Sequence, residues 1–74
     1  MERDDRVVLT KREREVLECL IGGSSAKEAA QLLGITPRTV ERYTENLRAK
    51  LRARNTTHMI AKAIALWGRA GPPK

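Results

Sequence analysis

The junction Gly34-Ile35-Thr36-Pro37 constrains this chain more than any other stretch, because it ends one helix and starts the next within a few residues. Glycine adopts the left-handed backbone that follows a helix end without the clash a side chain would add. Thr36 then offers a hydroxyl to cap free amides, and Pro37 suits the first helical position, where its missing N–H leaves no bond unmade. Ile35 before the cap and Val40 at the fourth helical position have the spacing of a hydrophobic staple, which sets the angle at which the chain enters the helix. Two helices joined this briefly cross at a sharp, defined angle, and that is the layout of a helix-turn-helix.

The flanking segments read as helices of matching style. Thr10 followed by Glu13 forms a capping signature, and Val16, Leu17, Leu20 and Ile21 recur at helical spacing until Gly22-Gly23 stops the run. Ser25 and Glu28 repeat the signature ahead of Ala29, Ala30 and Leu33, whose small members let a neighbouring helix approach closely. In a third helix, Pro37 to about Arg52, a wheel of roughly 100° per residue puts Val40, Tyr43, Thr44, Leu47 and Leu51 on one side. Arg38, Glu41, Arg42, Glu45, Ala49 and Arg52 share the other. A fourth helix from Thr56 to Arg69, capped by Asn55, carries Met59, Ile60, Ala63, Ile64, Leu66 and Trp67, and Gly71-Pro72-Pro73 cannot prolong it. The predicted organisation is a flexible segment 1–8, one domain over 9–69 and a flexible tail 70–74.

A chain of 74 residues buries only about 60% of the surface exposed when unfolded. Phe is absent, and one Trp and one Tyr are the only aromatics, so aliphatic side chains on amphipathic helices must supply the core. The expected class is all-α, a four-helix bundle-like domain. Charge is uneven: the formal net charge is +6, and from residue 46 onward Arg48, Lys50, Arg52, Arg54, Lys62, Arg69 and Lys74 face no acidic residue at all. Such a cationic half attracts phosphates or anionic lipid heads without specifying either. No run approaches a membrane span and MERDDR lacks the apolar stretch of a signal peptide, so a cytoplasmic protein is expected, with no membrane partner. Cys19 has no second cysteine for a disulfide or metal site, no nucleophile, base and orienting group come together, and no glycine-rich phosphate loop occurs. No metal, no cofactor and no enzymatic activity are expected.

LTKREREVL, then KEAAQLLGITPRTVERYTENLRAKL, then NTTHMIAKAI, from Leu9 to about Leu66, together resemble the LuxR/GerE-type helix-turn-helix domain of bacterial transcription regulators. The resemblance implies four helices, the third entering the DNA major groove and the fourth commonly making the dimer contact. Position by position it implies that Glu41, Arg42 and Glu45 face base edges, and that Lys27, Thr36, Thr39 and Lys50 approach phosphates. Arg38 and Arg48 join the phosphate set on charge and position. Relatives often carry a basic residue where Glu41 or Glu45 stands, a larger aliphatic at Ala29, His at Tyr43 and Arg at Thr56. The implied partners are double-stranded DNA, a second copy through the fourth helix, pairing if need be only on DNA, and RNA polymerase as a further candidate. Ala61, Ile64, Ala65 and Trp67 are the candidate dimer contacts, since the apolar arc of the fourth helix is wider than one core contact needs.

Each candidate has two readings in chemistry. Arg42 can pair with guanine through two bonds, and Glu41 or Glu45 can accept from cytosine N4; equally, the acids can pair with Arg38, Arg48 or Arg52 along their own helix. Lys50 sits at the edge of the buried side, its stem packed and its ammonium reaching outward to a phosphate or simply to water. Tyr43 either stacks on the core or offers its hydroxyl to a phosphate. Cys19 reads as a small half-buried hydrophobe and His58 as a surface histidine. The reading is a DNA-binding domain of a bacterial transcription regulator; the alternatives are a promoter-reading sigma-factor domain and a helical protein-interaction module, which Glu41 and Glu45 keep open.

Overall fold

The computed structural model describes residues 7–69 and Gly71, and these form four helices: α1 (Lys11–Ile21), α2 (Ala26–Leu33), α3 (Pro37–Leu51) and α4 (Thr56–Trp67). Every start is capped by the expected side chain. Thr10 accepts from the Glu13 amide and Ser25 from the Glu28 amide, each within a complete capping box, while Thr36 accepts from the Thr39 amide and Asn55 from the His58 amide. Each cap satisfies one of the amides that a helix leaves unpaired at its start.

The ends of α1, α2 and α3 share one geometry. Ser24 donates to the Cys19 carbonyl, Ile35 to that of Ala30 and Ala53 to that of Arg48, the backward bond that closes a helix over a left-handed residue. Gly23 and Gly34 hold that left-handed position in the first two cases, with φ of 97° and 70°. In the third it is Arg52, at φ 55° and the one non-glycine with positive φ among the described residues. The fourth helix is shorter than expected: it ends at Trp67 rather than Arg69, because Gly68 turns to φ 74° and its amide bonds back to the Ile64 carbonyl.

The core joins Val16, Leu17 and Leu20 of α1, Ala29 and Ala30 of α2, Val40, Leu47 and Leu51 of α3, and Met59 and Ala63 of α4. Val16, Leu17, Val40, Leu47 and Met59 have their side chains wholly withdrawn from water, each contributing about 1.5–3 kcal/mol of transfer free energy. Packing places α3 against all three other helices, whereas α2 and α4 do not meet. The third helix is thus clamped along one side and free along the other. Ile35 packs against the core cluster to which buried Val40 belongs. Leu66 departs from expectation, lying 57% exposed, so the buried arc of α4 is narrower than its composition suggests.

Most of the expected flexible segments, 1–6 together with 70 and 72–74, lies outside the described residues. Within them, Val7 packs on the core while Val8 is exposed, and Gly71 is buried with its Cα facing the Glu18 side chain. No helix of the described residues is long and apolar enough to cross a membrane.

Candidate nucleic-acid interface

The free side of α3 carries the base-contact candidates. Arg38, Glu41, Arg42 and Glu45 are exposed and, with Thr39, line one shallow depression along the helix. The wheel position of each follows from the clamped side: at roughly 100° per residue Arg38, Arg42 and Glu45, two positions from buried Val40 or Leu47, fall on the opposite side of the helix, with Glu41 beside them. Neither Glu41 nor Glu45 lies within ion-pair distance of a cation among the described residues, where the pairs are Arg12–Glu15, Arg14–Glu18 and Lys50–Glu13. The alternative in which these acids are spent on Arg38, Arg48 or Arg52 is therefore not what the structure adopts.

The phosphate candidates fall at three places. Thr36 and Thr39 sit at the start of α3, their hydroxyls 2.9 Å apart and sharing a hydrogen, beside amides whose partial positive charge favours an anion. Lys27 is exposed in the first turn of α2. Arg48 stands farther along α3, on a concave flank shared with Glu41, Glu45, Ser24, Ser25 and Thr56. Its Nε is buried without a hydrogen-bond partner, so only the guanidinium tip can take up a ligand.

Lys50 is placed elsewhere. Its ammonium donates to Glu13 Oε1 at 2.6 Å and to the Val8 carbonyl at 3.0 Å, on the α1 side of the domain. Glu13 is 4% exposed; burial alone would raise its pKa, but the hydrogen bonds from Lys50 and the Thr10 amide outweigh burial and hold it below the ordinary value. The outward reach expected of Lys50 is not realised, because a buried carboxylate lies within its range.

Among the dimer candidates Ala61 and Ala65 are exposed and Ile64 is half-buried, while Trp67 packs against the core. The strip offered to solvent is therefore centred on Ala61 and Ala65. Tyr43 packs partly on the core, and Cys19 is half-buried against it, with burial first and then the Glu18 and Glu15 charges pushing its thiol pKa up. His58 is more than a surface histidine: its Nδ1 accepts from the Arg54 amide, tightening the turn before α4. Sequence reasoning missed that bond, and it missed Ser24, Ser25 and Thr56 as the wall facing Arg48. The capping roles of Ser25 and Asn55 were the signal that these helix starts exist, but not that they converge on α3.

The sequence matches the family described as bacterial regulatory proteins, luxR family, over residues 7–63. The transcriptional regulatory protein FixJ of Azorhizobium caulinodans is 45% identical over 56 residues, covering 76% of this chain and 26% of that protein. The transcriptional regulatory protein UhpA of Escherichia coli is 41% identical over 59 residues, covering 80% of this chain and 30% of that protein. Among solved structures, the VqmA–ligand–DNA complex of Vibrio cholera superposes with a TM-score of 0.84 at 36% identity, covering 90% of this chain and 30% of that one. A structure of the Vibrio cholerae VqmA dimer without target DNA gives a TM-score of 0.87 at 33% identity, covering 99% and 32%. The chain thus spans about a quarter to a third of each of these relatives.

Proposed function

The chain belongs to the luxR family of bacterial regulatory proteins, which are transcription regulators and not enzymes, and from the free face of α3 we propose that it reads DNA sequence. In this reading α3 lies in the major groove with Glu41, Arg42 and Glu45 toward base edges, and phosphate contacts from Lys27, Thr36, Arg38, Thr39 and Arg48 supply affinity and register. This reading leaves Lys50 out of the phosphate set, since its ammonium is bonded to Glu13. The observation that carries the reading is a helix clamped on one side by three others, with Arg38, Thr39, Glu41, Arg42 and Glu45 lining one exposed depression on the other. A related VqmA structure is a complex with DNA.

Two copies, in the same proposal, bind through the exposed strip of α4 around Ala61 and Ala65, with Ile64 and Trp67 at its edge. The strip is small, so pairing belongs to the DNA-bound state, where two half-sites hold the copies close. The VqmA relative is described as a dimer. The proposed setting is the bacterial cytoplasm, with RNA polymerase as a further partner of the regulator. A mobility-shift titration against duplex DNA, with unlabelled duplex as competitor, tests the function. Retardation that specific sequences compete better than random ones is expected; no retardation at low salt would favour the protein-interaction module instead.

A further inference from the structure

Glu41 and Glu45 stand exposed on the reading face without an ion pair to a described cation, although Arg38 lies three residues before one and Arg48 three residues after the other. Those spacings allow pairing along a helix, and the structure leaves it unmade. A free carboxylate facing a duplex is repelled by phosphates, and guanine N7 and O6 and thymine O4 are acceptors that give it nothing to accept. Only exocyclic amino groups in the major groove suit it, and the cytosine N4 group suits it best. Arg38 and Arg42 offset the charge of the two acids on this face.

Resting on the reading that α3 enters the major groove, we infer that Glu41 and Glu45 are specificity-determining residues that each demand a cytosine amino group and depress binding to every other sequence. Arg42 lies next to Glu41 on the same face and takes guanine through N7 and O6. The DNA recognised is then of a defined class, a half-site in which cytosines on the contacted track accompany a guanine. The basic half of the chain supplies attraction without choice, and the two carboxylates supply rejection. Ala and Ser at these positions would remove the rejection and leave a tighter, less selective binder.

The test is selection of bound duplexes from a random pool by the chain and by its E41Q and E45Q variants. Both positions are exposed, so unchanged thermal midpoints are expected. Glutamine keeps the shape of glutamate but pairs with adenine N6 and N7. The parent should enrich sites with cytosine at two contacted positions. Each variant should move one of these from cytosine to adenine, changing the preference there by about five- to a hundredfold, and should bind random duplex more tightly than the parent does. An enriched site that both variants leave unaltered at every position overturns the inference while the DNA-reading function stands. Failure of the parent to enrich any site overturns the function and the inference with it.

Discussion

The ammonium of Lys50 lies 2.6 Å from Oε1 of Glu13, fastening the last turn of α3 to the first turn of α1 across 37 residues of sequence. The same oxygen accepts the Thr10 amide at 2.9 Å, so one buried carboxylate both caps α1 and anchors α3. Glu13→Gln keeps an oxygen for the cap and removes the charge. It should lower stability by about 1 kcal/mol near neutral pH, since Lys50 is half-exposed and can recover water. The folded pKa of Glu13 is lowered from 4.5, so its contribution is present above that value and is lost as pH falls through the folded value. Thermal melts of parent and variant should therefore differ near pH 7 and converge in acid; a gap that persists unchanged into acid would dissociate Glu13 from the pair.

Lys50→Met tests the other partner. With its charge already taken up by Glu13, Lys50 should add nothing to counterion release, and the slope of log affinity against log salt should match the parent's. A slope shallower by about one unit would place its ammonium on a phosphate.

Arg52 holds at φ 55° the left-handed position that Gly23 and Gly34 hold at the ends of α1 and α2. A side chain there is strained by about 1–3 kcal/mol, and glycine recovers part of it against its greater freedom when unfolded. Arg52→Gly should stabilise the domain by about 0.5–1 kcal/mol. A lower denaturant midpoint would mean that the arginine stem packs more than its exposure suggests.

Ala65 is exposed on the strip of α4 proposed to face a second copy. Ala65→Glu places two like charges across a two-fold contact and should abolish cooperative binding to paired half-sites while sparing binding to a single one. Sedimentation of protein–DNA mixtures carrying one or two half-sites separates these outcomes; cooperativity retained by the variant would move the partner surface elsewhere.

What the sequence disclosed and what it withheld divide along the range of the forces involved. Thr10 with Glu13, Ser25 with Glu28, Thr36 before Pro37, and Asn55 before Thr56 are signals that act within one turn, and all four helix starts were legible from them, as was the free side of α3 from its period. The end of α3 was placed at about Arg52, one residue past Leu51, since Arg52 gives no glycine signal for the left-handed turn it adopts. Gly68 was passed over in favour of the later Gly71-Pro72 because both patterns stop a helix. The destination of Lys50 depends on how α1 packs on α3, and no local rule carries that. Leu66 reads as core by composition, yet α4 offers its buried side only around Met59 and Ala63.

The most direct test of the central claim is methylation interference on a selected site, because a methyl group on guanine N7 occupies the major-groove atom that Arg42 is proposed to contact. Duplexes methylated at one guanine per half-site should be missing from the fraction bound by the parent. Arg42→Ala should accept those duplexes, bind the selected site about five- to a hundredfold less tightly and lose little on random DNA. A bound fraction in which methylated guanine is represented at every position as in the free pool, or an equal loss for Arg42→Ala on selected and random duplexes, would contradict the assignment of α3 to base reading in the major groove.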